Sequence, residues 1–148
     1  MSFPGPKEFY EQFKNDPEAA RRAAFQVGQE IGQALKQRYH VQGEGLQGLV
    51  ELLHAAARIV RSGVEGDTSS PYASAAVEGE KVVMRNSGFC PVMRAALTLN
   101  IPWEWLDNNF AWPLLEGMAS SIVPEIKMRV SSARCRGDAA CTHIFEIT

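Results

Sequence analysis

Three cysteines and one histidine are the residues of this sequence best suited to chemistry. Cys135 and Cys141 flank a polar, glycine-containing turn, and strands on either side would place the two thiols nearly opposite each other. Because side chains alternate along a strand, Cys141 and His143 are expected on the same face. Cys90, which precedes a helix-starting proline, is the remaining thiol. Three thiolates and one imidazole form a complete ligand set for zinc, another thiophilic metal or an iron–sulfur centre.

The same residues admit two other interpretations, because their spacing is not the tight Cys-x-x-Cys pattern of a zinc knuckle. Cys135 and Cys141 could be an incidental or redox-active hairpin pair, with Cys90 a small buried apolar residue. In a catalytic interpretation, Cys90 is a nucleophile with His143 or His54 as its base.

A cluster of aromatic residues holds all three tryptophans of the chain within one short stretch. Large rings that lie close together usually form core. The alternative is the wall of a ligand pocket, in which such rings combine with a few polar groups. The candidate pocket residues are Trp103, Trp105, Phe110 and Trp112.

Helices are predicted for most of the first sixty residues. Asp16 and Pro17 form an N-cap and first-turn signal for the longest of them. Small residues four apart along its edge, Ala24, Gly28 and Gly32, would let another element approach closely. The expected helices cover Pro6 to Lys14, Pro17 to about His40, and Gly45 to Ser62.

The rest of the chain alternates strands with short helices. A hairpin is predicted from Tyr72 to Asn86, and two more strands near the C-terminus. Short connections favour antiparallel pairing, which predicts an α+β fold with helices packed on one sheet of about four strands. We expect residues 1–148 to form one domain, in which 1–15 are an arm or short helix. The helices expected in this half are Pro91 to Leu99, Pro102 to Phe110, and Trp112 to Val123.

Composition limits the classes of partner. The chain has 148 residues, with 15 Lys and Arg against 17 Asp and Glu, and a formal charge of −2. Without a basic excess, neither nucleic acid nor an anionic membrane surface is an expected partner. Apolar stretches are too short for a membrane span, and the chain start lacks the pattern of a secretory signal. These features predict a cytoplasmic protein with reduced thiols.

The C-terminal half resembles the 4-vinyl reductase domain family, small domains related to the TRAPP-like α+β fold. The resemblance follows the order of elements over about residues 20–148. Related L-2-amino-thiazoline-4-carboxylate hydrolase-like proteins share the closing Gly-Asp-x-x-Cys. The residues that carry the resemblance are Phe89-Cys90-Pro91-Val92, Glu116-Gly117-Met118-Ala119-Ser120-Ser121, Cys135, Gly137-Asp138-Ala139-Ala140-Cys141, and Phe145.

The resemblance implies a domain that encloses a small hydrophobic ligand between helices and sheet. In the aromatic-sensing members, cysteines matching Cys90, Cys135 and Cys141 hold zinc together with a carboxylate three residues before the second cysteine. In this sequence that place is Ser132, and the final turn is shorter. The resemblance therefore leaves His143 or a water as the fourth ligand.

Three hypotheses about function follow. The first is a domain that binds a small apolar or heterocyclic molecule between the tryptophan-rich region and the long helix, with a stabilising metal site. The second is a small hydrolase or reductase of a heterocycle that uses Cys90 or a metal-bound water. The third is a non-catalytic module that forms a homodimer through exposed Ala24, Gly28 and Gly32.

Overall fold

The computed structural model describes residues 5–62, 74–88 and 90–147, with side chains omitted for 58–62. The fold is α+β, as predicted, with helices on a four-stranded antiparallel sheet. The start of the chain, the Tyr72 end of the predicted hairpin, and Phe89 lie outside the described residues. The elements are α1 (Pro6–Phe13), α2 (Pro17–Arg38), α3 (Gly45–Ser62), β1 (Ser74–Glu78), β2 (Lys81–Asn86), α4 (Pro91–Leu99), α5 (Trp103–Leu106), a π-helical turn (Asp107–Ala111), α6 (Trp112–Ser120), β3 (Ile126–Ser132), a 3₁₀ turn (Arg134–Arg136) and β4 (Cys141–Ile147).

The helix boundaries follow local signals. Asp16 accepts a hydrogen bond from the Ala19 N–H at 3.2 Å, which confirms the predicted cap of α2. The last predicted helix ends at Ser120 instead of Val123. Its final turn tightens, because the Ser121 and Ile122 N–H groups donate to carbonyls three residues earlier.

The sheet has the strand order β1-β2-β4-β3, so the C-terminal strand lies in its centre. All three strand pairs are antiparallel, as the short connections predict. The main core lies between the sheet and helices α3 and α6. Its buried members include Leu49, Leu53, Val82, Met84, Ala119, Ile126 and Phe145.

Helices α2 and α6 pack with their backbones close together. A side-chain carbon at Gly28 would collide with the Leu114 carbonyl, and one at Gly32 with the Ser121 hydroxyl. The predicted close approach is therefore confirmed, and the approaching element is α6 of the same chain. The prediction that Ala24, Gly28 and Gly32 are exposed for dimerisation is wrong, because all three are buried in this contact.

The segment from Trp103 to Ser120 is one helical run with a π-helical turn in its middle. The sequence predicts two helices here, but the backbone stays helical through Leu106 and Ala111. The Trp112 N–H donates to the Asp107 carbonyl, five residues earlier. Pro113 has no N–H and its ring would crowd a regular helical turn, which the wider π-helical turn relieves.

The described helices were also compared with the requirements of a membrane span. None of them is both long enough and apolar enough to cross a bilayer.

Candidate functional site

Four polar side chains from four separate parts of the chain lie near one another at the start of the central strand β4. Cys90 precedes α4, Asp107 begins the π-helical turn, Cys135 lies in the 3₁₀ turn, and Cys141 begins β4. The charge of Asp107 acts on the pKa of all three thiols, and Cys141 also interacts with both other cysteines. We call these four residues the thiol–carboxylate cluster.

Backbone hydrogen bonds position two of the thiols. The Cys90 Sγ atom accepts the Met93 N–H at 3.4 Å as the N-cap of α4. The Cys141 Sγ atom accepts the Arg134 N–H at 3.3 Å. Both residues are buried, and all three cysteines of the chain are free thiols. Local chain geometry therefore holds these sulfur atoms in place.

Burial keeps the thiols of the cluster protonated. Desolvation is the largest cause of the raised pKa of Cys90 and of Cys141, and Asp107 raises both further. Desolvation, followed by a hydrogen bond with Asp107, raises the pKa of Cys135 to about 12. In this arrangement the thiols are neutral at physiological pH, so they are poor nucleophiles.

Asp107 is the central residue of the cluster, and the sequence pattern did not single it out. Its side chain is 4% exposed, and its Oδ2 atom has no hydrogen-bond partner. Desolvation raises the pKa of this carboxyl to about 6, against smaller lowering effects of Cys135 and Arg136. A buried carboxylate without a paired cation is costly, because charge favours water over a protein interior.

His143 and Ser132, the other two positions considered in connection with the metal site, lie outside the thiol–carboxylate cluster. His143 lies on the helix-facing side of β4, as alternation with Cys141 predicts, between Met84 and Val130 of the neighbouring strands. Its Nδ1 atom has no partner, and burial lowers its pKa to about 4. His143 is not among the largest influences on any thiol pKa. The Ser132 hydroxyl donates to the Ala140 carbonyl and contacts Thr142, so it ties the two strands together.

The cluster contains donor atoms of the kinds that bind zinc, but its side chains do not form a coordination shell. Within residues 5–62, 74–88 and 90–147, no three His, Cys, Asp or Glu side chains are arranged so that they could hold a metal ion. The donor set itself, three thiols and one carboxylate, suits zinc. The unpartnered Oδ2 atom of Asp107 and the raised pKa values are the features that a bound cation would relieve.

An apolar cavity of about 270 Å³ lies beside the cluster. Cys90 and Asp107 are the chain neighbours of two of its lining residues, Pro91 and Leu106. Among the residues that the structure describes, every side chain that lines the cavity is apolar. The lining comes from α1, α3, β2, α4, α6 and the helical run before α6: Pro6, Leu53, Ala56, Ala57, Met84, Pro91, Val92, Ala95, Leu106, Phe110, Ala111, Leu114, Leu115 and Met118.

The aromatic candidates divide between this cavity and the core. Phe110 lines the cavity, whereas Trp103, Trp105 and Trp112 do not. Trp105 packs edge-on against Tyr10 of α1, with the ring centroids 4.8 Å apart. The N-terminal helix thus packs against the tryptophan-rich segment. The long helix α2, expected to line the pocket, packs on α6 instead.

The positions of the catalytic candidates bear on the enzyme hypothesis. Cys90 does not line the apolar cavity, and its thiol is protonated. His54 is exposed on α3. The part of the cavity lining that the structure describes contains no acid or base. Neither Cys90 nor His54 is therefore among the described residues that line the cavity.

With this geometry established, the chain was compared with known proteins. No protein-family model matches its sequence, and no curated protein matches it.

Proposed function

We propose that this chain is a cytoplasmic, small-molecule-binding domain of the 4-vinyl-reductase-like, TRAPP-like type. The observation that carries the proposal is the apolar cavity between the helices and the sheet. Its position matches the ligand site that the family resemblance implies. Three free cysteines agree with a reducing compartment.

The walls of the cavity select the class of ligand. Because the described residues of the lining are all apolar, a bound molecule gains affinity from apolar contact with them. An apolar cavity of about 150 Å³ is enough to hold benzene. A space of about 270 Å³ therefore suits one aromatic ring with short apolar substituents.

A metal held by the thiol–carboxylate cluster is the second part of the proposal. Cys90, Cys135 and Cys141 are the thiol ligands, and Asp107 takes the place of the fourth ligand, which the sequence assigned to His143 or water. The support for Asp107 is its hydrogen bond with Cys135, the effect of its charge on the pKa of all three thiols, and its unpartnered Oδ2 atom. When bound, zinc would keep the thiols deprotonated and link four chain segments.

The role of this metal would be structural. Its ligands come from the start of α4, the π-helical turn, the 3₁₀ turn and the start of β4. The first two of these segments also supply cavity walls through Pro91 and Phe110. A metal that joins them would hold the helical side of the cavity against the C-terminal hairpin.

Toluene is the probe that tests the cavity. We expect it to bind the parent chain and to raise the melting temperature progressively as the toluene concentration increases. Ala95→Phe places a ring in the cavity and is expected to abolish the effect, whereas Thr98→Phe, exposed on the same helix, leaves it unchanged. Equal toluene responses in the two variants would remove the proposal.

Elemental analysis tests the metal. Protein purified without added metal and without oxygen is expected to contain about one zinc per chain, as one four-ligand site requires. Asp107→Asn is expected to lower the zinc content, whereas Asp16→Asn, an exposed capping position that asparagine also satisfies, is not. A zinc content near zero in the parent chain would contradict this part and leave the toluene result intact.

A further inference from the structure

A second, larger recess lies on the opposite side of α6 from the apolar cavity. This open groove has a volume of about 560 Å³ and is formed by α2, the helical run from Asn108 to Glu116, β3 and the 3₁₀ turn. We call it the arginine groove. Its apolar wall consists of Phe25, Trp112, Pro113, Met128 and Val130.

The polar lining of the groove is predominantly cationic. Arg21, Arg22 and Arg136 line it together with one carboxylate, Glu116. The Glu116 Oε2 atom already accepts the Met128 N–H at 2.8 Å. The chain as a whole carries a formal charge of −2, so three guanidinium groups in one recess form a local reversal of its charge.

Two of the guanidinium groups are held by neighbouring side chains, Arg21 by a neutral amide and Arg136 by an aromatic ring and an exposed carboxylate. Arg21 donates to the Asn109 Oδ1 atom at 2.9 Å, and Asn109 is itself anchored on the Trp105 carbonyl. Arg136 lies over the Trp112 ring, 5.0 Å from its centroid. The nearest carboxylate to Arg136 is the exposed Glu104, at 3.8 Å. These contacts orient the two cations and leave donors for an anion.

Arg22 has the fewest polar partners of the three arginines. Among the described residues it has no hydrogen bond and no ion pair, and it is exposed at the groove. A guanidinium with five donors beside an aromatic wall is suited to an acid group on a flat ring.

We propose that the arginine groove is a second binding site, for a small molecule that carries an anionic group on an aromatic or similarly flat apolar body. The guanidinium groups of Arg22 and Arg136 bind the acid group, and the ring lies against Phe25 and Trp112. This class differs from the uncharged ligand proposed for the apolar cavity. The two sites can therefore be tested separately.

Calorimetric titration with phenyl phosphate tests the site. We expect binding to the parent chain, and binding about tenfold weaker to Arg22→Gln and to Arg136→Gln, because each change removes a charge-assisted contact. Arg38→Gln, an exposed change near the end of the same helix, is the matched control and keeps the parent affinity. Ala95→Phe also keeps it, since Ala95 lines the other cavity.

Two related probes measure separately what the acid group and the ring contribute to binding. Benzyl alcohol lacks the charge and inorganic phosphate lacks the ring, and each is expected to bind the groove at least about tenfold more weakly than phenyl phosphate. The proposal is overturned if phenyl phosphate does not bind at millimolar concentration, or if Arg22→Gln and Arg38→Gln bind it equally. Equal binding of inorganic phosphate would also overturn it, because the aromatic wall would then contribute nothing.

Discussion

The apolar cavity and the thiol–carboxylate cluster are neighbours built on the same segments, yet their walls are opposite in character. Leu106 faces the cavity and the next residue, Asp107, faces the cluster; Pro91 and Cys90 divide in the same way. The described lining of the cavity is entirely apolar, whereas the cluster holds a buried carboxylate oxygen without a partner. An empty apolar cavity can stay dry at modest cost, but a buried charge needs a partner.

This contrast assigns different tasks to the two regions. The proposed ligand binding in the cavity would depend on apolar area and shape. Stability at the cluster depends on charge, because the desolvated Asp107 carboxyl faces three thiols. Substitutions in the cluster should therefore change the metal content and the pH dependence of stability. Substitutions in the cavity lining should change ligand binding.

The largest expected effect is at the cluster. Cys141→Ser should lower the melting temperature of zinc-loaded protein by about 10 °C, through loss of roughly 3 kcal/mol of metal-linked stability. Calorimetry on protein with measured zinc content checks this. The same substitution in chelator-treated protein is the control and should cost much less. A similar loss in both preparations would contradict a metal role for Cys141.

Asp107→Asn should change stability in opposite directions with and without metal. In chelator-treated protein at neutral pH it should stabilise by roughly 2 kcal/mol, because it removes a carboxylate whose pKa burial raises to about 6. In zinc-loaded protein it removes a ligand and should destabilise. Chemical denaturation of both forms measures the two signs. Destabilisation in both forms would indicate a purely structural role for the carboxylate.

Metal-free protein should show two opposed pH dependences. Burial raises the pKa of Asp107 to about 6, so the folded state binds this proton more tightly than the unfolded chain does. The tighter binding stabilises the folded state at low pH, and that contribution is lost as the pH rises from about 4 to 6. Burial lowers the pKa of His143 to about 4, so the unfolded chain takes up that proton first. Stability is therefore lost from this source as the pH falls from about 6.5 towards 4.

Single variants separate these slopes. In Asp107→Asn only the effect of His143 remains, so the free energy of unfolding should rise by roughly 2 kcal/mol from pH 4 to 6.5. In His143→Gln only the effect of Asp107 remains, so the free energy of unfolding should fall as the pH rises. Urea denaturation across this range measures both. Parallel pH profiles for the two variants would refute this assignment.

The smallest expected effect is at the cavity. Ala95→Phe fills apolar space and should raise the stability of ligand-free protein by about 1 kcal/mol. Thr98→Phe, on the exposed side of the same helix, should leave it within about 0.5 kcal/mol. A large loss in Ala95→Phe would mean that the space is too small for a ring.

Much of the fold could be predicted because local signals decide it. The Asp16 cap, the proline-started helices and the strand alternation around His143 all act within a few residues along the chain. The family-level fold stays a prediction. The prediction that the Gly28 edge of α2 is exposed was wrong. A row of small residues indicates that another element approaches closely, but it does not indicate which element.

The site was harder to predict because its central residue depends on a backbone irregularity. In the sequence, Asp107 stands among Glu104, Asn108 and Asn109 and resembles a solvated helix face. The π-helical turn before Pro113 changes which way this face points, and the turn's first residue becomes buried. A proline inside an apolar helical pattern was the available signal. Similarly, Trp105 packs against Phe9 and Tyr10 of α1, a contact that only the tertiary structure reveals.

The claim that the apolar cavity is the ligand site is tested most directly by a crystal soaked with iodobenzene. The account predicts an anomalous iodine peak between α3, α4 and α6, in contact with Leu53, Ala95 and Phe110. The cluster and the arginine groove should show none, because they lack an apolar enclosure for an uncharged ring. An iodine peak found only outside this cavity, with the cavity itself unoccupied, would contradict the account.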